Sequence, residues 1–197
     1  MFLNCYNLRN VMLSPTVDKI PYQFFQNCYS LTAIGQPGVK FNDILTVDYS
    51  AFNCCSSLAF DNISLNKIKY VGSEAFENCK LTRLSTASLD YVGTAAFANC
   101  TQLTSVVIDA SDTSLTSFDD EAFCSCKNLV DFRLSTRFGT PFNIGYSCFD
   151  HDRSLTLLDF SNTTLFGVYN NAFNYCTNLR NVKFPYTLYS LQYNAFN

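Results

Sequence analysis

The chain has 197 residues, 48% of them hydrophobic and only 15% charged, with a net charge of −3 at neutral pH. This balance argues against a disordered chain, and it supplies no basic field to gather phosphates, so no nucleic-acid partner is expected. No apolar run approaches the roughly 20 residues that span a bilayer, so no membrane insertion is expected, and Met1-Phe2-Leu3-Asn4-Cys5 shows no basic segment leading into a long apolar run, so no signal peptide is legible.

Along the chain one element returns at near-constant intervals. Its anchor is a phenylalanine: Phe2, Phe25, Phe52, Phe76, Phe97, Phe123, Phe149, Phe173 and Phe196, spaced by 23, 27, 24, 21, 26, 26, 24 and 23 residues. The mean is about 24, inside the range of leucine-rich repeats. Five residues before the anchor stand Ile20, Val47, Val71, Val92, Phe118, Ile144, Val168 and Leu191, all apolar. Eight before it stand Val17, Ile44, Ile68, Leu89, Leu115, Pro141, Leu165 and Leu188. Three after it stand Cys5, Cys28, Cys55, Cys79, Cys100, Cys126 and Cys176, with Asp152 as the exception.

Each period then has a physical reading. After the anchor comes Leu-x-x-φ-x-φ, with φ apolar, as in Leu103-x-x-Val106-x-Ile108, Leu129-x-x-Phe132-x-Leu134 and Leu179-x-x-Val182-x-Phe184. Apolar and polar residues alternate there, which predicts a half-buried strand. Phe, Cys and the next Leu are three apart, which predicts one face of a short helical turn. Ser73, Thr94, Asp120 and Asn170, three before their anchors, are the expected helix caps. The expected order is strand, connector, capped helical turn and strand again. Stacking copies then gives a solenoid with a parallel sheet on one face and helical turns on the other.

The fullest copy, Val92-Gly93-Thr94-Ala95-Ala96-Phe97-Ala98-Asn99-Cys100-Thr101-Gln102-Leu103-Thr104-Ser105-Val106-Val107-Ile108, resembles the BspA-like leucine-rich repeats, and the resemblance extends over the whole chain. It implies an α/β repeat solenoid: a right-handed superhelix with a parallel sheet on the concave face and short helical turns on the convex face. It also implies a surface adhesion or recognition role toward host or matrix proteins, by analogy of fold and motif. Residues 1–197 are expected to form a single leucine-rich-repeat domain of about eight repeats, a segment of a longer array lacking its caps. The chain departs from the pattern at Leu58 to Leu65, which has extra residues, at Cys79-Lys80-Leu81, which lacks one, and at Asp152. Local irregularity is expected at all three.

The remaining chemistry has bland readings. Seven of the ten cysteines share one repeat position, where in-register side chains point the same way. They are expected to be free, buried thiols rather than disulfides. Cys54, Cys124 and Cys148 lie off that position and are expected to be more exposed. No paired CxxC is present, and Cys124-Ser125-Cys126 alone makes no zinc site. The single histidine, in Asp150-His151-Asp152, falls where other copies carry Asn and is read as a solvated turn. No nucleophile motif or phosphate loop accompanies it, so neither an enzyme, a metal nor a cofactor is expected. The sequons at Asn62, Asn99 and Asn162 are read as silent.

A binding surface is easier to read. Residues flanking the inward strand positions point out of the sheet. On the concave face these are Asn10, Met12, Arg83, Ser105, Val107, Asp109, Asp131, Arg133, Leu157, Asp159, Asn181 and Lys183, with Ala33, Gly35, Asn62, Ser64 and Ser85 beside them. The stripe mixes apolar and polar groups, which suits a protein partner. The tyrosines and asparagines of the opposite face are the second choice. Two functional readings follow: a cell-surface or extracellular recognition module, or a cytoplasmic scaffold that packs end to end through uncapped ends.

Overall fold

A computed structural model describes residues 1–35, 44–60 and 65–197. The alternating and repeated apolar positions become fifteen short strands. In chain order they are β1 (Asn10–Val11), β2 (Lys19–Ile20), β3 (Ala33–Ile34), β4 (Thr46–Val47), β5 (Tyr70–Val71), β6 (Arg83–Thr86), β7 (Tyr91–Val92), β8 (Ser105–Ala110), β9 (Ser117–Phe118), β10 (Asp131–Thr136), β11 (Phe142–Ile144), β12 (Leu157–Asp159), β13 (Leu165–Val168), β14 (Asn181–Lys183) and β15 (Ser190–Leu191). Their pairings are parallel and link one coil to the next, as in Phe132 with Val106 and Leu134 with Ile108.

The strands after the Leu-x-x motif form the expected sheet, ordered β14-β12-β10-β8-β6 among the described residues, and β1 pairs with β3. A second sheet was not expected. It has eight strands, ordered β15-β13-β11-β9-β7-β5-β4-β2. It is built on the apolar residue five before each anchor, so Val47, Val71, Val92 and Phe118 stack rung on rung. The segment read as a connector is therefore a strand. One register shift, at Phe142/Asn143, interrupts it. There Phe142 is buried and takes the inward place expected of Pro141, which is exposed.

The expected helical turns do not form, so the α/β reading is corrected to a parallel β-solenoid with no helix among the described residues. The reason lies in the backbone on either side of each anchor. Residues two before and two after it hold positive φ: Glu74 (57°) and Asn78 (59°) around Phe76, Ala95 (53°) and Asn99 (57°) around Phe97, Glu121 (58°) and Ser125 (61°) around Phe123. A left-handed residue every fourth position cannot propagate a right-handed helix. The amides divide their bonds instead. Phe76, Asn78 and Glu74 donate to Ala96, Ala98 and Thr94 of the next coil. Ala75, Glu77 and Cys79 donate three residues back, to Gly72, Glu74 and Phe76. This is a stack of turns whose third residue carries positive φ, as type II turns require. Ser73, Thr94, Asp120 and Asn170 thus enter turns and cap no helix. The recurrent Asn two after the anchor has its explanation here, because asparagine tolerates the left-handed region better than most residues.

Two ladders fill the space between the sheets and the turns. The anchor rings stack without a break from Phe2 to Phe196, with centroids 4.8–5.6 Å apart and planes within 18° of parallel. The cysteine sulfurs form the second ladder, and all ten thiols are free. Cys148 was expected to be more exposed, yet it is fully buried. It occupies the position before the anchor that Ala51, Ala75, Ala96, Ala122 and Ala172 fill elsewhere, all of them buried. Cys54 and Cys124 are half-buried.

Coil-to-coil spacing also explains the glycine four before some anchors. A β-carbon on Gly93 would lie 2.6 Å from the Ser73 backbone nitrogen, and one on Gly72 would lie 2.5 Å from that of Tyr49. The obstructing atoms are backbone, so they cannot rotate away. Gly93→Ala is expected to lower stability by about 1–3 kcal/mol, the usual cost of overpacking. Thr94→Ala, one residue further and exposed, should stay within about 0.5 kcal/mol. Urea unfolding of the two variants checks this, and equal effects would contradict the close approach.

Candidate functional site

On the five-stranded sheet the burial alternates as the sequence implies. In β10, Phe132, Leu134 and Thr136 are buried while Asp131, Arg133 and Ser135 face out. In β8, Val106, Ile108 and Ala110 are buried while Ser105, Val107 and Asp109 face out. The parallel register turns these outward residues into rows. One runs Ser85, Val107, Arg133, Asp159, Lys183. Another begins Arg83, Ser105, Asp131, and Leu157 pairs with Asn181 beyond it.

Asn10 and Met12 are exposed and lie in and beside β1, which pairs with β3. Ala33 pairs with Asn10 in register and lies beside it on the same face. Asn62 and Ser64 fall outside the described residues. Arg83, Asn181 and Lys183 flank the sheet's edges. The middle group, Val107, Asp109, Asp131, Arg133, Leu157 and Asp159, lines a groove of about 900 Å³.

The charges in this groove are already engaged with one another. Arg133 Nε donates to Asp131 Oδ1 at 2.8 Å, and Ser105 Oγ to Asp131 Oδ2 at 3.2 Å. Lys183 Nζ donates to Asp159 Oδ2 at 2.9 Å, across two coils' strands. The Ser161 hydroxyl, then Lys183 and the Ser161 amide, hold the Asp159 carboxyl down at about 2. The Ser111 hydroxyl and amide likewise lower Asp109. Both carboxylates are ionised at any physiological pH. The groove therefore presents fixed, oriented charges with apolar patches between them, and Leu157 is 45% exposed.

Val130, Ser135 and Thr156 also line the groove and escaped the sequence reading. Val130 is 53% exposed and lines the groove. Its row, seven after the anchor, holds Thr32, Thr104, Thr156 and Arg180 in other coils, all exposed. A valine out of place in a polar row was the available signal. It was missed because Val130 precedes the alternating stretch.

A smaller cavity of about 350 Å³ opens on the eight-stranded side, among Thr94, Ser117, Asp119, Asn143 and Tyr169. Tyr91 Oη donates to Asp119 Oδ2 at 2.8 Å. Partial burial, and then that bond, push the Tyr91 phenol up to about 12. Tyrosines pair along this side, as Tyr22 with Tyr49 and Tyr70 with Tyr91, at 5.4 and 4.9 Å. His151 takes the asparagine position with φ 64°. Its ring leans on Tyr175 and its Nδ1 lies 2.8 Å from Asp150 Oδ1. Among the described residues no group of three or more His, Cys, Asp or Glu is placed to hold a metal ion, and no helix is long and apolar enough to cross a membrane.

The family model for the BspA type leucine rich repeat region matches in six copies, over residues 1–104, 39–142 and 90–197. No curated protein matches the chain. Among solved structures, a leucine-rich repeat protein from Bacteroides ovatus ATCC 8483 is 17% identical, with 95% of this chain and 75% of that one covered and a TM-score of 0.43. A leucine rich cell surface protein from Faecalibacterium prausnitzii A2-165 is 18% identical, with 92% and 74% covered and a TM-score of 0.37.

Proposed function

Because the chain belongs to the BspA-type leucine-rich repeat family, we propose that it is a protein-binding module for surface recognition and adhesion, and that it holds its partner in the groove of β8, β10 and β12. The observation that carries this reading is the groove's composition. Leu157 and Val130 offer apolar anchors, and the Arg133–Asp131 and Lys183–Asp159 pairs rim them with charges of both signs. Interfaces are organised in this way, with an apolar centre and a polar rim. Preformed pairs also spare part of the ordering cost of binding. The fold supplies repeated shape, and specificity rests on a few exposed side chains.

The test is binding to an array of immobilised host and matrix proteins. Leu157→Ser and Arg133→Ala are each expected to weaken capture by about tenfold or more, the cost of truncating a central contact. Asp109→Ala should change it little, because the Asp109 carboxyl is already bonded to the Ser111 hydroxyl and amide. Undiminished binding by a variant with the whole outward stripe changed to serine would remove the groove from consideration. The alternative of an intracellular assembly component draws support from the ten free thiols, a state typical of reducing compartments. Ten titratable thiols in freshly isolated, denatured protein, together with no capture on the array, would favour it.

A further inference from the structure

Asp152 occupies the ladder position that other coils give to cysteine. Its backbone is regular: its amide donates to Phe149 at 3.2 Å, as Cys79 does to Phe76 at 3.1 Å and Cys100 to Phe97 at 3.2 Å. The side chain therefore enters the same interior space. In that space the thiols do one consistent thing. Cys28, Cys55, Cys79, Cys100, Cys126 and Cys176 each donate to an anchor carbonyl of an earlier coil, those of Phe2, Phe25, Phe52, Phe76, Phe97 and Phe149, at 3.0–3.2 Å. From Phe2 to Phe149, the one anchor carbonyl without a thiol is that of Phe123, the coil on which Asp152 stacks.

An ionised carboxylate could not take over that task, because it has no hydrogen to donate. It would also have only the Cys126 amide to favour its charge. Asp152 is fully buried, and neither of its side-chain oxygens has a hydrogen-bond partner in the described structure. The titratable groups around it are thiols and a second acid: Cys124 and Cys126 from the coil before, Cys148 and Asp150 from its own, Cys176 from the coil after. The neighbouring His151 has its Nδ1 against Asp150 Oδ1, not Asp152. A lone buried charge among such neighbours is costly, and the usual escape is to bind a proton.

We propose that Asp152 keeps its proton at neutral pH and donates it to the Phe123 carbonyl, so that it acts as a proton-dependent latch between the Phe123 and Phe149 coils. The neutral carboxyl replaces the thiol donor and leaves the ladder intact. Loss of the proton puts a negative charge against a carbonyl oxygen and loosens the coil that leads into β12. Burial, the largest influence, holds the Asp152 carboxyl well above the ordinary carboxylate range; the Cys126 amide opposes this and Asp150 reinforces it. With the folded value raised, the folded chain binds the proton more tightly than the unfolded one. Stability from this site is full below the unfolded value of about 3.9 and is lost as pH rises toward the folded value.

The test compares the whole chain with D152C, which restores the ladder thiol, and D152N, which is nearly isosteric and carries an N–H donor. From pH 5 to 7.5, below the range where thiols ionise, the unfolding constant of the wild type should rise relative to both variants, by up to about tenfold per pH unit. Glu77, also raised by burial, is common to all three and cancels in the comparison. The infrared spectrum at pH 7 should contain a carboxylic-acid carbonyl band that D152C lacks. Parallel pH profiles in wild type and D152C, or identical spectra in that band, would overturn the latch.

Discussion

Phe97→Ala is expected to remove about 3–5 kcal/mol of stability, the range for emptying a buried phenylalanine site. Phe97 is fully buried and lies between Phe76 and Phe123, at 5.3 and 5.2 Å, with planes 4° and 6° from parallel. Truncation removes both ring contacts, each worth about 0.5–1.5 kcal/mol beyond area burial. The cavity cannot easily close, because the coils on both sides are fixed by amides bonded between coils. In a repeat stack, stability is carried by contacts between neighbours. The variant should therefore also weaken the coupling of the two halves, and its denaturant transition should broaden or divide. Phe97→Leu, which keeps most of the volume, should cost less than about 1.5 kcal/mol. Urea unfolding followed by tyrosine fluorescence reads both. A Phe97→Ala loss below about 1 kcal/mol would mean that the ring stack is incidental to stability.

The sequence was most legible where a side chain is repeated at a fixed distance from the anchor. The buried phenylalanines, the thiol ladder and the outward rows of β8, β10 and β12 all follow from spacing and alternation. The backbone between them was less legible, because two conformations put the same residues inside. Phe, Cys and Leu three apart face one way on a helix, and they also face one way on a run of tight turns. What separates the two is φ at the intervening positions, and those are held by Glu74, Ala95 and Glu121 as readily as by Asn78 or Asn99. Glu and Ala are strong helix formers, so local propensity pointed to the wrong structure and inter-coil hydrogen bonding prevailed. The eight-stranded sheet was hidden for a related reason: its strands are mostly two residues long, too short to show alternation. In the groove, the register of Arg133 opposite Asp159 was implicit in the repeat, but the exposure of Val130 was not.

Raising the pH above about 8.5 is expected to unfold the chain steeply, because the thiol ladder resists ionisation while folded. Burial is the leading cause at Cys79, Cys100, Cys126 and Cys148, all 0–3% exposed. It pushes Cys100 up to about 12, and the others also rise well above their ordinary value. In the unfolded chain a thiol ionises near 8.5. Below that pH the thiols keep their protons in both states and add no pH dependence of their own. Above it the unfolded chain releases protons that the folded chain retains, so stability falls as pH rises. Each such group contributes about 1.4 kcal/mol per pH unit, and four together about 5 kcal/mol per unit. A marginal stability of about 5–15 kcal/mol would be exhausted within a few units. The measurement is urea unfolding in reductant from pH 7.5 to 10.5. Cys100→Ala with Cys126→Ala should lower the starting stability yet reduce the pH slope by about 3 kcal/mol per unit, the share of two groups. Equal slopes in the parent and the double variant would assign alkaline unfolding to other groups, and would leave the buried thiols with a packing role alone.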